Sequence, residues 1–337
     1  MSYAASSTYT STADDRQRRF RRPTAVLGVA LVNIVIIAVF SLTTPNHVFF
    51  EVQTIPSVLV NASQIVLLGV GVACLLGAGQ FDISLGANLI LSSVVGARVM
   101  AGVATIAPTG VAIVVGIVVC ILTGATFGLV NGLLVARLGI NSLIATLGML
   151  GIGGGLALVI ANGVDLVVPS AIQTGFGIVR VFDVIPAPSI VTAVIVLAVY
   201  LLISRTRFGL RALAVGSSRE SAARSGIDVQ GTTVKLFVLA GALAGVAGVI
   251  DLSRFTTTSV SGHATDALAA VAGAVIGGTA LFGGRVSIMG TVLGCILPVI
   301  LAVGLVMQGL PPFYQQIAIG AVLIVAVALR TAQAKRT

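Results

Sequence analysis

The chain has 337 residues, 57% of them hydrophobic and only 9% charged, against roughly 25% charged in a soluble protein. Nineteen basic and ten acidic side chains cannot coat a 33.9 kDa globule, and the mean hydropathy is +1.13. These values exclude a soluble enzyme, a disordered chain and a nucleic-acid binder, and leave an all-α polytopic membrane protein.

Residues 1–23 read as a disordered basic tail. Ser2 to Asp15 has no apolar period, and Arg16, Arg18, Arg19, Arg21 and Arg22 follow it. The uncharged run from Pro23 to Phe50 exceeds the ~7–15-residue core of a signal peptide and lacks an evident cleavage site, so it reads as a retained span. At ~20 residues per crossing, the apolar runs predict about ten transmembrane helices. They lie near 24–43, 55–78, 83–97, 106–136, 143–162, 188–204, 234–252, 267–282, 287–308 and 313–330. Together, 24–330 form one transmembrane domain, with a basic tail at 331–337. The run 106–136 is too long for one upright helix, so it must tilt or include an interfacial segment. Cys74, Cys120 and Cys295 sit within apolar runs without CxxC spacing and read as small packing residues. The spacings Gly124-x3-Gly128-x3-Gly132 and Gly241-x3-Gly245 predict close helix contact.

Charge supports an even number of spans. With both termini cytoplasmic, the inside segments hold the five N-terminal arginines, Arg137, Arg205, Arg207, Arg211, Arg219, Arg224, Lys235, Arg285, Arg330, Lys335 and Arg336. Only Arg98, Arg180 and Arg254 fall outside, a strong positive-inside bias. A possible parallel internal repeat relates Gly69, Gly79 and Gly86 to Gly273, Gly283 and Gly290.

The inside loop 205–233 interleaves five arginines, Glu220 and Asp228 with small residues. Gly216-Ser217-Ser218 gives a turn and cap signal, and Gly226 stops the helix-permissive stretch that follows. The alternative is a solvated connector. The order of Gly216, Arg219, Glu220, Ala222, Ser225, Gly226 and Ile227 resembles the cytoplasmic coupling segment, the EAA loop, of permease subunits of ribose-type sugar ABC importers. Ser221 stands where that segment usually has its first Ala. Asp82 to Gly86, Asn131 to Val135, Ile144 to Met149 and Ile276 to Gly284 resemble further blocks of the same family, so that the resemblance runs from about 55 to 330. It departs at Ala267 and Ala269, which fill places where members commonly carry Glu and Asp.

The resemblance implies a bacterial inner-membrane subunit that pairs with a second permease copy, an ABC ATPase and a periplasmic or lipid-anchored sugar-binding protein. It implies a monosaccharide as ligand, such as ribose, xylose, arabinose or galactose. It further implies that Arg219, Glu220, Ser221, Ala222, Ala223, Arg224 and Gly226 couple to the ATPase.

Asp82 lies in a break between two spans and is expected to cap the next helix, with gating or ATPase contact as the alternative. Asn61, Gln64 and Asn88 are candidates to line the pathway; interhelical hydrogen bonds are the other reading, for them as for Asn33, Ser92, Ser93 and Asn131. His47 and His263 fall outside, without nearby partners, so neither a metal site nor any other cofactor is expected. The two lysines, Lys235 and Lys335, do not follow a Gly, so no Walker A loop exists, and ATP hydrolysis is expected in a separate subunit. The competing function is an ion-coupled secondary transporter of a small polar solute, which would place ionisable groups near the membrane midplane; Asp251 and Asp266 are the borderline residues.

Reporter fusions at Thr337 and within 164–187 are expected to report opposite sides of the membrane, with Thr337 cytoplasmic; compartment-specific enzyme activity of the fusions checks this.

Overall fold

The computed structural model describes residues 12–45, 49, 51, 54–263, 265–311, 313–318, 320, 321 and 324. The α-helices with both ends among the described residues are α1 Thr12–Thr43, α2 Thr54–Gly77, α3 Leu85–Val103, α4 Thr109–Ala136, α5 Ser142–Ala161, α6 Ala187–Arg205, α7 Arg207–Ser217, α8 Arg219–Arg224, α9 Val229–Phe255, α10 Asp266–Ile276 and α11 Ile288–Met307, with a π-helical turn at Gln173–Gly177 between α5 and α6. One small antiparallel hairpin, β1 Arg180–Val181 and β2 Ile185–Pro186, pairs Arg180 with Pro186 and Val181 with Ile185.

Among the described residues, eight helices are long and apolar enough to cross a membrane: α1 to α6, α9 and α11. The run expected at 267–282 is only an 11-residue helix, α10, because Gly277 and Gly278 end it and a non-helical stretch continues to Ser287. The last expected span, 313–330, lies mostly outside the described residues, of which 313–318 are helical. Of the expected tail, 1–11 is not described, while the backbone is helical from Thr12. Helix α4 is continuous over 28 residues, about 42 Å at 1.5 Å per residue, and exceeds a ~30 Å hydrocarbon core, which favours tilt.

The centre of the bundle is α2, buried along nearly its whole length and packed on α9, α10 and α11. Helices α1, α4, α5 and α6 turn large apolar side chains outward, among them Leu31, Val114, Leu122, Leu147, Val159 and Leu197. A water-soluble protein would not present such faces, and lipid tails would cover them.

Helices α4 and α9 meet along the two glycine series. A β-carbon on Gly124 would collide with the Gly241 carbonyl, and one on Gly128 with the Phe237 carbonyl. The cysteines take up space in the same manner: Cys120 Sγ lies 3.2 Å from the Gly245 carbonyl oxygen, and Cys295 fills the room left by Gly69 and Gly273.

Two breaks interrupt the helices. In the first, between α2 and α3, Gly79 has φ +71°. The freed amides find partners on α5: Phe81 N donates to Ser142 Oγ (3.1 Å) and Ile83 N to Thr146 Oγ1 (3.4 Å). Irregular backbone at membrane depth survives only when protein satisfies it in this way. In the second break, Gly283 has φ +91°, and the Gly284 amide donates to the Gly77 carbonyl (2.9 Å), which joins the ends of the two breaks. Of the offset glycine pairs, Gly79 and Gly283 thus share a conformation, while the helices before them have 24 and 11 residues.

Gly128→Leu is expected to cost ~1–3 kcal/mol through overpacking, whereas Gly148→Leu, with open space around its α-carbon, should change little. Thermal unfolding of both variants in detergent checks the contrast.

Candidate functional site

Three regions of the fold hold the residues singled out from the sequence. The first is the α7–α8 hairpin. Thr206 Oγ1 caps α7 by accepting from Phe208 N (3.2 Å), Ser218 Oγ caps α8 by accepting from Ser221 N (3.2 Å), and Asp228 Oδ1 caps α9 by accepting from Gly231 N (2.8 Å). Three consecutive caps explain why so polar a stretch is helical between two apolar spans. Ala222 is buried, while Arg219, Glu220, Ser221, Ala223, Arg224 and Gly226 are exposed. Glu220 and Arg224 pair across one turn at 2.9 Å. Gly226 ends the helix at φ +77°, a conformation that L side chains rarely adopt. Gly216, expected in a turn, lies within α7, where it packs against Gly77 and Gly283 at the ends of the two breaks.

The second region is a buried knot at the start of α3. Asp82 Oδ1 accepts from Ser84 N (2.8 Å) and from Ser84 Oγ (2.6 Å), and Asn131 Nδ2 donates to Ser84 Oγ (2.9 Å) and to Asp82 Oδ2 (3.3 Å). Ser84 is the N-cap residue but makes no side-chain cap of its own. Asp82 therefore braces the N-cap amide and ties it to α4; it does not reach the amides of the first turn. Asn88 is likewise buried: its amide donates to the Gly124 carbonyl (3.2 Å), and it accepts from Ser92 Oγ (3.1 Å). Gly124 lies near the middle of α4, so α3 begins about halfway along that helix.

The third region is a cavity of about 740 Å³ between α2, α9, α10, α11 and residues 315–316. Asn61 and Gln64 of α2 line it, and Asn88 does not. Sequence reasoning missed what they meet. Gln64 Nε2 donates to Asp251 Oδ1 (3.0 Å), which also lies 3.1 Å from His263 Nε2; His263 Nδ1 lies 2.7 Å from Asp266 Oδ2. Arg254 Nη1 donates to Asn61 Oδ1 (2.8 Å), and its guanidinium lies 4.5 Å from the Phe255 ring centroid.

His263, expected outside and without partners, is instead held between two carboxylates. The cause is the path of the chain from the end of α9 to His263, whose backbone packs against Gly86 in the first turn of α3. The only sequence signal was the local pair His263 and Asp266, three residues apart; Asp251 could be added only by the fold. Among the described residues no cluster of His, Cys, Asp and Glu is suited to a metal ion. His47 lies outside the described residues. Of the two places where the resemblance predicts carboxylates, Ala267 is buried and Ala269 lines the cavity.

A helical bundle with lipid-facing flanks, a polar cavity reaching its interior and a capped polar hairpin defines a membrane transport subunit. Residues 54–327 match the family described as branched-chain amino acid transport system / permease component, and the chain belongs to that family. Its relatives include the D-allose transport system permease protein AlsC of Escherichia coli (strain K12), 32% identical over 306 residues and covering 90% of each chain. The ribose import permease protein RbsC of Bacillus subtilis (strain 168) is 32% identical over 307 residues, 90% of this chain and 92% of its own. The galactose/methyl galactoside import permease protein MglC of Escherichia coli (strain K12) is 29% identical over 315 residues, 90% of this chain and 93% of its own. No solved structure matches the chain.

Replacing His263 by Leu would leave Asp251 and Asp266 without their shared partner. Removing one member of a buried ion pair costs ~3–5 kcal/mol. His263→Leu is therefore expected to lower the unfolding midpoint in detergent well below that of the parent, as chemical denaturation would show.

Proposed function

We propose that the chain is the membrane-spanning permease subunit of a bacterial ABC importer for a monosaccharide, working in the inner membrane with a second permease copy. The observation that carries this reading is the match to allose, ribose and galactose permeases over about nine-tenths of the chain. A substrate-binding protein delivers the sugar at the outer face. The cavity beside Asn61 and Gln64 is the entry part of the pathway.

A separate ATPase supplies the free energy, and α8 is its docking element. The exposed side chains of Arg219, Glu220, Ser221, Ala223 and Arg224 support this role: they project from the bundle, have little to pack against and sit on the segment that leads directly into α9. The exposed glycine at 226 leaves room for a partner to approach closely. Asp82 holds the start of α3 and touches neither ligand nor ATPase. The secondary-transporter reading requires a free ionisable group near the midplane, whereas both candidate acids here flank His263.

Glu220→Arg is expected to abolish sugar uptake and ATPase co-purification while leaving the fold intact. The Glu220–Arg224 pair that it breaks is exposed and worth only ~0.3–0.5 kcal/mol, too little to unfold the protein. Gly226→Trp should act in the same direction; it has open space but carries strain of ~1–2 kcal/mol at that φ. Normal uptake and normal ATPase retention in both variants would show that the hairpin is only a solvated connector.

A further inference from the structure

The cavity holds more chemistry than a passive entrance needs. Its polar lining includes Asn61 and Gln64 from α2, Arg254 from α9, His263 and Asp266 around the start of α10, and Gln315 and Gln316 beyond α11. Phe255 adds an aromatic edge and Ala269 a small apolar floor. The first turns of α3 and α10 meet beside it, since Gly86 packs against the His263 backbone and the amide end of Ala267. In secondary transporters helix starts beside a polar cavity face the substrate, and the same local geometry is available here.

The charges in and behind this lining cancel. Both ring nitrogens of His263 face carboxylate oxygens, which is satisfied when both carry protons, as in the imidazolium. One imidazolium and one guanidinium then balance Asp251 and Asp266. A ligand bearing net charge would break this balance in a setting of low dielectric, where an uncompensated charge is costly. A neutral polyol would not. The lining also has hydrogen-bonding capacity to spare. Arg254 has five N–H donors, and among the described residues only one is used, on Asn61. Asp251, which meets Gln64 and His263 through Oδ1 and does not itself line the cavity, has its Oδ2 buried without a partner.

We propose that this cavity is a sugar-holding subsite inside the permease, selective for an uncharged polyhydroxylated ring, with Asn61, Gln64, Arg254 and Asp266 contacting its hydroxyls. The proposal rests on the sugar-permease reading above. Asn61 and Gln64 offer both donors and acceptors, Arg254 donates, and Asp266 accepts, which matches hydroxyls that do both. The volume accommodates a monosaccharide with some of its water, so binding is loose enough for release in each cycle.

The test uses the permease–ATPase complex in membranes, carrying Ser259→Cys on the cavity wall. The native cysteines are buried and make a low background. Labelling by a membrane-impermeant thiol reagent is followed while D-ribose, D-allose, L-arabinose or D-galactose is added, with ribose 5-phosphate as the charged control. At least one neutral sugar should protect the cysteine, and the phosphate should not. In Asn61→Ala and Arg254→Gln, half-protection should need about tenfold more sugar, the loss expected for one hydrogen bond to a well-placed partner. If Arg254→Gln does not assemble, Arg254→Lys keeps the charge and should show a smaller shift in the same direction. Sugar uptake by the complete parent importer is measured in parallel. Uptake without protection by any sugar, unchanged half-protection in the variants, or equal protection by the phosphate would overturn the subsite and leave the permease reading standing. Absence of uptake of any of the four sugars would instead overturn the monosaccharide reading, and the subsite with it.

Discussion

The approach of α4 and α9 to backbone contact fixes where everything else lies. With lipid outside and no hydrophobic gain from pressing one apolar helix on another, close packing of small residues is what holds two such helices in register. The contacts of Gly124 and Gly128 with the Gly241 and Phe237 carbonyls set that register. It places Asn131 beside the start of α3, and Asn88 against the middle of α4, so the Asp82 knot and the interior start of α3 both depend on it. It also sets the depth at which the C-terminal end of α9 presents Asp251 and Arg254.

Many polar groups inside this bundle are tied down by a partner on another element, although among the described residues Thr192 Oγ1, Asn33 Oδ1 and Asn131 Oδ1 are buried without one. The amides freed by the first break are met by Ser142 and Thr146 of α5, the Asn33 side chain donates to the Leu293 carbonyl (2.8 Å), and Ser63 meets Ser189 across α2 and α6 (3.1 Å). The cavity adds spare capacity of its own. There Arg254 uses one N–H donor on Asn61, and behind the lining one carboxylate oxygen of Asp251 has no partner. Leaving such groups unmet costs stability, and a binding site is where that cost has a use.

The elements that could be read from the sequence are those whose signal is local. Long apolar runs, the glycine series, the Ser218 cap and the stop at Gly226 each lie within one segment, and the helices follow them closely. The ninth apolar run misled because hydropathy does not register where a helix ends; Gly277 and Gly278 break it while the stretch stays apolar. The cavity was half legible. Asn61 and Gln64 stood out as polar residues in a span, but the bond from Gln64 to Asp251 joins positions 187 residues apart. His263 was expected without partners because a loop that packs back onto the bundle has the same composition as one that does not.

Helix α9 runs unbroken from its Asp228 cap beside α8 to Arg254 at the cavity, 27 residues and about 40 Å. It contains no proline, and of its glycines, the positions at which a long helix would bend, Gly241 and Gly245 are clamped against α4 and Gly248 against α3 and Cys120. The seam thus acts as a splint. A push at the α8 end has no joint in which to dissipate, so it must arrive at Asp251 and Arg254 as motion of a stiff rod. Stroke length at the far end is then set by the tilt of one lever, and the weakest point in transmission is the four-residue link from Ser225 to Asp228 at its base.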